Sequence, residues 1–393
     1  MNALAASLEP QATAPADSPL RVLTFLHSFE PGGVERVALR LHAAWQASGV
    51  DSRLVMGRTA GAMRCEWPGL EPEVLGSEAI PTAHWETLWM ILRLPGAIRR
   101  IRPDVLFCAG NSYTIVAVMM RLLLGKACPP VAAKISNDLT RADLPAIARP
   151  FYRAWLRIQG RMLTRIVGMA PPMRGEIAAL MEAPSEHIAI IDDPSLDEAD
   201  ILRLSAARTA TRVAVTTKEP GKRFLAIGRL AAQKNFGLLL EAFARMAGPD
   251  DRLAIIGEGG ERPKLEAQIR RLGLEAKVRL PGHISPLDSE LAAADALVLS
   301  SDYEGVPAVV AEALAAGLPV VSTRCSVSMD DMLGHGRFGV LVPVSDATAL
   351  ATAMADIANL QFDEIAAREQ ARRFTVQIAS DRYLALMEGL ARA

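Results

Sequence analysis

Two carboxylates and two cations in this sequence stand at spacings that could hold a charged ligand. The stretch SDYEGVPAVVAEALAAGLPVVST, residues 301–323, carries Glu304 and Glu312 with seven residues between them. Pro307 suits the first helical position, so Glu304 falls on a loop after the run ALVLSS and Glu312 in the N-terminal half of a helix. From the loop, one carboxylate can reach a ligand group. From the helix, the other can accept hydrogen bonds from the vicinal hydroxyls of a ribose. Gly305 and Val306 would offer backbone N–H groups to the same ligand. Taken alone, two glutamates on a helix are by default a solvated surface.

The cations lie in GRLAAQKNFGLLLEAF, residues 228–243. A strand ends at Gly228 and a helix begins near Asn235, leaving Arg229 and Lys234 on the loop between them. A helix N-terminus presents free N–H groups and positive partial charge, so two cations beside one form a clamp for a diphosphate. As an isolated spacing the pair reads better as solvated loop cations, and only its context reverses that. A third motif is EPGGVERVALRLHAAW, where Pro31, Gly32 and Gly33 separate a first strand from a first helix. Paired glycines let backbone approach a ligand closely, although a tight βα turn needs them equally. The pattern is not GxGxxG, and the second strand, DSRLVMG, ends without the acid that would bind a ribose, which argues against a dinucleotide.

These motifs need strands and helices to hold them. From Arg21 onward, short β-branched runs (RVLTFLHSF, DSRLVMG, DVLFCAG, VAAKIS, RIVGMA, HIAIID) alternate with helix-length amphipathic segments, the pattern of βα units on a parallel sheet. It lapses over residues 193–222, which read as an interdomain connection. It resumes with RFLAIGRL, DRLAIIGEG, KVRLPGH, ALVLSS, LPVVST and GVLVPV. Two long helical patterns, from Asp346 and Asp363, close the chain. The domain boundaries expected are a disordered tail over 1–20, a first Rossmann-like domain over 21–192, the connection over 193–222, a second domain over 223–362, and a C-terminal helix over 363–393 that can cross back to the first domain. Every motif above follows a strand, where such sheets bind ligands.

Length and composition agree with two cores. The net charge of −1 (43 basic against 44 acidic residues) and few aromatics argue against a nucleic-acid binder. Four cysteines, Cys65, Cys108, Cys128 and Cys325, lack metal-site spacing, so reduced thiols in a cytoplasmic protein and no structural metal are expected. The first twenty residues lack the basic and apolar regions of a signal peptide. TIVAVMMRLLLG, broken by Arg121, is too short to span a bilayer and reads as a buried helix.

Together, residues 300–323, GRLAAQKNFGLLLEAF, IIGEGGERPKLEAQIRRLGLEAKVRLPGH and PGGVERVALRLH resemble the glycosyltransferase family 4 enzymes over about residues 21–390. The resemblance implies an α/β protein of GT-B architecture, two doubly wound Rossmann-like domains facing across a cleft. It implies a nucleotide-diphospho-sugar donor held by the second domain and a retaining transfer; no metal or other cofactor is expected, because Arg229, Lys234 and a helix N-terminus supply the positive charge a metal would bring. Arg229 and Lys234 would bind the diphosphate, Glu304 the sugar and Glu312 the ribose, with Gly32 and Gly33 at the cleft. Where family members carry His-Asn, this chain has Ser136-Asn137. Asp193-Pro194 stands for a common Asn-Pro, and Asp331 for an acid ahead of GRFGVLV. His27 lines the cleft or is structural, and neither it nor His283 is assigned to catalysis.

Between Leu88 and Gly175, fourteen Lys or Arg face three acids. Within that stretch Arg149, Arg153, Arg157, Arg161 and Arg165 recur every four residues beside Phe151 and Trp155. Such a helix can lie on anionic lipid, and it can equally pack in its own domain with snorkelling guanidinium groups. The expected function is transfer of a sugar to an acceptor hydroxyl, on a lipid-linked saccharide of surface polysaccharide or glycolipid synthesis, at the cytoplasmic face of a membrane. The alternatives are a nucleotide-sugar epimerase of the same fold, which would need acid/base groups in the first domain, and a non-catalytic nucleotide-sugar-binding protein.

Overall fold

The computed structural model describes residues 19–30, 32–75, 85–137, 139–140, 144–214 and 220–392. All but the last two residues of the expected N-terminal tail lie outside them. The first lobe is a seven-stranded parallel sheet: β1 (Arg21–Leu26), β2 (Asp51–Met56), β3 (Glu73–Val74), β4 (Val105–Cys108), β5 (Val131–Lys134), β6 (Arg165–Gly168) and β7 (Ile188–Ile190). Its order is β3-β2-β1-β4-β5-β6-β7. The helices are α1 (Gly33–Ala47), α2 (Glu86–Ile101), α3 (Thr114–Leu124), α4 (Arg149–Met162) and α5 (Met173–Met181).

The second lobe follows α6 (Glu198–Ala214). Its six parallel strands are β8 (Arg223–Ile227), β9 (Arg252–Ile256), β10 (Val278–Gly282), β11 (Ala296–Leu299), β12 (Val320–Thr323) and β13 (Gly339–Val342), ordered β10-β9-β8-β11-β12-β13. The helices are α7 (Phe236–Met246), α8 (Arg262–Leu272), α9 (Asp288–Ala293), α10 (Ala308–Ala316), α11 (Met329–Met332), α12 (Ala347–Asp356), α13 (Glu364–Arg372) and α14 (Val376–Ala391). Strands β4, β5, β11 and β12 are buried at every position, because helices cover both faces of a parallel sheet and leave no side for polar alternation. The expected architecture is the observed one: two doubly wound lobes.

Four details differ from the sequence reading. The two-residue strand β3 is too short for any periodicity to betray it. The connection over 193–222 contains the 17-residue helix α6, packed against α9 and α10 of the second lobe; its Ala- and Thr-rich sequence hid a helix whose Leu204 and Ile201 are buried. The pattern from Asp363 is two helices, since Thr375 breaks off to pair with Leu196. Finally, α3 is not buried all round, for Ile115, Leu122 and Leu123 are exposed.

The last helix, α14, packs on α1 and β4 of the first lobe. Tyr383 stacks edge-on against Phe107 and Trp45 (centroids 5.3 and 6.2 Å), contacts of about 0.5–1.5 kcal/mol each beyond area burial. Near the crossing, Arg373 bridges Asp192 of the first lobe (3.1 Å) and Asp331 of the second (2.8 Å). Lys134, 2% exposed, pairs with Asp193, so neither charge is left unpaired in the interior. The lobes also touch at the C-terminal ends of their strands. A Cβ on Gly305 would overlap the Ser136 carbonyl oxygen, and Val306 packs against the cores of both lobes. The strand ends that carry ligand loops therefore face each other.

Candidate active site

Two neighbouring strands build the second-lobe half of the site. β8 runs into the loop 228–235 and β11 into the loop 300–307, and the two loops are tied edge to edge. Asp302 N donates to Gln233 O (2.9 Å), Gln233 Nε2 to Tyr303 O (2.8 Å), Ser300 Oγ to Lys234 O (2.9 Å) and Asn235 Nδ2 to Asp302 Oδ1 (2.8 Å). Asn235 also caps α7, its Oδ1 accepting from Leu238 N (3.3 Å). Its φ of +44 lies in the left-handed region, which Asn tolerates better than most side chains. These bonds fix Lys234 two residues before the helix.

Lys234 Nζ donates to Glu304 Oε1, and Ser301 Oγ donates to the same oxygen (2.7 Å). The two side chains are 19% and 10% exposed. Nothing among the described residues donates to Glu304 Oε2, and an ammonium group has three donors, so both groups keep bonding capacity for a ligand. The Lys234 stem crosses Gly228, where a Cβ would stand 3.2 Å from Cε; a larger residue would push the ammonium away. Arg229 is exposed on the same loop and forms no ion pair among the described residues. The structure thus joins Lys234 to Glu304 directly and leaves Arg229 exposed on the Lys234 loop.

Glu312 lies in mid-α10. Its Oε2 is buried with no hydrogen-bond partner. Burial raises its pKa above the ordinary carboxylate value, against the pull of Arg40 and Arg36 from α1 of the other lobe. A buried carboxylate oxygen without a donor is costly unless a ligand supplies one, and hydroxyl groups would.

Gly305 and Val306 lie where the two lobes meet. Gly305 is buried against Ser136, and its carbonyl accepts from Ser328 Oγ (2.8 Å). Here glycine serves the approach of the two lobes, and Val306 is packing. Gly32 is the N-cap of α1 in extended backbone, and a Cβ there would overlap the Glu35 carboxylate. Glu35 Oε1 in turn accepts from Tyr113 Oη (2.7 Å). Gly32 therefore makes room for a side chain of its own helix, while Gly33 faces open space.

On the first-lobe side of the cleft, His27 has Tyr113, Glu35 and Glu86 for neighbours, none of which sequence reasoning singled out. His27 lies against the Tyr113 ring (4.7 Å), its Nε2 buried and unpartnered, and burial lowers its pKa despite Glu86 and Glu35 nearby. Both acids are engaged, Glu35 by Tyr113 and Glu86 by Arg58, so neither stands beside His27 as a free acid/base partner of the kind an epimerase would use. Ser136 is also occupied: its N donates to Asn111 Oδ1 (2.7 Å) and its Oγ accepts from Asn111 N (3.3 Å). Asp331 is tied up in the Arg373 bridge between lobes and Asp193 in its pair with Lys134 of the first lobe, and His283 is exposed. Gly257, at φ +142, and Gly259 pack where a Cβ would overlap the Gly228 and Leu230 carbonyls, so GEG steadies the Arg229 loop. The unusual density of glycine in IIGEGG was its only signal.

The basic segment is not one stripe. Arg149, Arg153, Arg157 and Arg161 belong to α4, but Arg165 opens β6. Arg157 and Arg161 pair with Glu182 (2.8 and 3.6 Å), an acid beyond the end of the basic stretch. No described helix is long and apolar enough to cross a membrane.

The sequence patterns of two domain families match this chain: one described as "Glycosyl transferase 4-like domain" over residues 32–193, and one described as "Glycosyl transferases group 1" over residues 207–375. The chain belongs to the family 4-type glycosyltransferases. It is 36% identical over 133 residues to the lipopolysaccharide core biosynthesis glycosyltransferase LpsE of Rhizobium meliloti, a match covering 34% of this chain and 38% of that protein. It is 35% identical over 129 residues to the N-acetylgalactosamine-N,N'-diacetylbacillosaminyl-diphospho-undecaprenol 4-alpha-N-acetylgalactosaminyltransferase of Campylobacter jejuni, covering 33% of this chain and 35% of that one. The matches thus span less than half the length of these curated relatives. Among solved structures, Anabaena HepE in complex with UDP-glucose superposes with a TM-score of 0.74 at 18% identity, over 94% of this chain and 99% of that one. The fold is GT-B.

Proposed function

We propose that this family member is a retaining glycosyltransferase that moves a sugar from a nucleotide-diphospho-sugar to an acceptor hydroxyl. One observation carries the reading: the Lys234–Glu304 pair on two adjoining strand ends, in the same lobe as the buried, donor-less carboxylate of Glu312. Lys234, with Arg229 on the same loop, would hold the diphosphate and stabilise the charge that develops as it leaves. Glu304 would take a sugar hydroxyl on Oε2 while Oε1 keeps the ammonium in place. Glu312 would accept from the ribose. The departing diphosphate would help deprotonate the acceptor on the same face of the sugar, so no carboxylate nucleophile is required. Two cations and the N-terminus of α7 supply the positive charge for the leaving group, so the reading requires no metal. UDP-glucose, the ligand of HepE, is the first donor to try.

The acceptor is proposed to be a lipid-linked saccharide, met at the cytoplasmic face of a membrane. Names of relatives support this, and so does the surface of the first lobe. Leu88 and Leu92 of α2, Leu122 and Leu123 of α3, and Phe151 and Ile158 of α4 are exposed on helices that neighbour one another, among the arginines of α4. Apolar side chains beside cations suit an anionic lipid surface. The test is the anomeric configuration of the product by NMR: retention is expected, and inversion would overturn the proposed chemistry.

A further inference from the structure

Strand β12 ends in Ser322 and Thr323, both fully buried, although a strand covered on both faces has no need of hydroxyl groups. Thr323 Oγ1 donates to Ser301 O (2.6 Å) on the neighbouring loop 300–307. Ser301 is fully buried as well, and its own Oγ donates to Glu304 Oε1 (2.7 Å). Two more bonds tie the chain just after β12 to the same loop: Glu304 N donates to Cys325 O (2.7 Å) and Ser328 Oγ to Gly305 O (2.8 Å). The Cys325 thiol adds no charge here, because burial, and then the Glu304 carboxylate, push its pKa up to about 12. The end of β12 and the segment after it thus form a floor under the loop that carries Glu304.

The two donors on Glu304 Oε1 are unlike. Lys234 carries its ammonium on a long flexible stem and, as a transferase residue, shares that charge with the diphosphate. Ser301 has a single side-chain torsion, no exposure to solvent, and a backbone carbonyl held by Thr323. When a diphosphate draws on Lys234, Ser301 is the donor that stays. A fixed bond on Oε1 gives the carboxylate one orientation, and so one direction for Oε2, to which no described residue donates.

Resting on the transferase reading above, we infer that Ser301 and Thr323 are positioning residues: the bonds from Thr323 through Ser301 to Glu304 aim Oε2 at a hydroxyl of the donor sugar. Neither side chain touches the ligand. Their effect falls on the sugar half of the donor and spares the nucleoside diphosphate, which Lys234 and Glu312 hold.

Calorimetric titration of the full chain tests this with UDP-glucose, or whichever nucleotide-sugar the parent binds most tightly, against the matching nucleoside diphosphate. Ser301→Ala is expected to weaken the nucleotide-sugar about tenfold, the loss of one hydrogen bond to a charged group, and to leave the nucleoside diphosphate within about twofold of the parent. Thr323→Val keeps the shape of the side chain but leaves Ser301 O without its donor, and is expected to lower the ratio of the two affinities about threefold or more. Thr323→Ser, which keeps the hydroxyl, is expected to restore it. If Ser301→Ala fails to fold, the two Thr323 variants decide. A parental ratio in both Ser301→Ala and Thr323→Val would show that Glu304 is aimed without them, and equal weakening of both ligands would show that they only hold the fold; either overturns the assignment. Parental binding with an unchanged ratio sinks the positioning claim alone, whereas a parent that binds no nucleotide-sugar sinks the transferase reading and this claim with it.

Discussion

Replacing Lys234 with Ala removes the ammonium from a pair whose members are 19% and 10% exposed. The Glu304 carboxylate then keeps only Ser301 Oγ, at 2.7 Å. Breaking a fully buried pair costs about 3–5 kcal/mol and an exposed one about 0–1, so this intermediate site should lose about 2 kcal/mol of stability. Turnover should fall further, about 10²–10³-fold, because the lost donor acts on the charge of the leaving diphosphate. The two effects separate in a double variant. Glu304→Gln added to Lys234→Ala removes the unpaired charge and should restore most of the stability, yet turnover should stay low. Urea unfolding near neutral pH reads the first quantity, and release of nucleoside diphosphate at saturating acceptor reads the second. A Lys234→Ala enzyme within about threefold of the parent in turnover would refute the clamp. Recovery of turnover together with stability in the double variant would show that Lys234 acts only through the fold.

Four further outcomes follow from the geometry. Because burial raises the Glu312 pKa above 4.5, the folded state holds its proton more tightly than the unfolded chain. That contribution is complete below the ordinary carboxylate pKa and is lost as pH rises through the raised value, at up to about 1.4 kcal/mol per pH unit; Glu312→Gln should flatten this slope in denaturation curves and raise the melting temperature near neutral pH. Gly305→Ala should force the lobes apart at Ser136, seen as a larger radius of gyration by small-angle scattering and lower turnover, and an unchanged radius would contradict the contact. Activity should survive EDTA, and inactivation reversed by Mg²⁺ or Mn²⁺ would show that the cations of the loop do not suffice. Phe151→Ser with Arg153→Glu should reduce co-sedimentation with anionic vesicles in a salt-sensitive way, and equal sedimentation would remove the membrane from the account.

Much of the fold was legible because parallel strands buried on both faces read as continuous apolar runs. ALVLSS and LPVVST each became a strand, and Asp346 and Asp363 capped the helices that the patterning places after them. What failed were elements held by partners far along the chain. The two residues of β3 have no period of their own, and α6 owes its place to α9 and α10. In the site, residue types predicted the Lys234–Glu304 partnership only as shared duty toward a ligand, since seventy residues separate them and nothing local announces the contact. For glycine, absence of a Cβ signals close approach without saying of what. At Gly32 the neighbour is Glu35, and at Gly305 it is the opposite lobe. The regular spacing of five arginines likewise hid a helix end at Met162 and the pairing of two of them with Glu182.

The central claim is that the second lobe holds a nucleotide-diphospho-sugar on Lys234, Glu304 and Glu312. Calorimetric titration of the full chain with UDP-glucose, extended to a panel of nucleotide-sugars, tests it most directly. The account predicts saturable binding of at least one of them, weakened about tenfold or more by Glu312→Ala, which removes a charged acceptor from the ribose. No binding by any nucleotide-sugar, or equal binding by parent and Glu312→Ala, would contradict it.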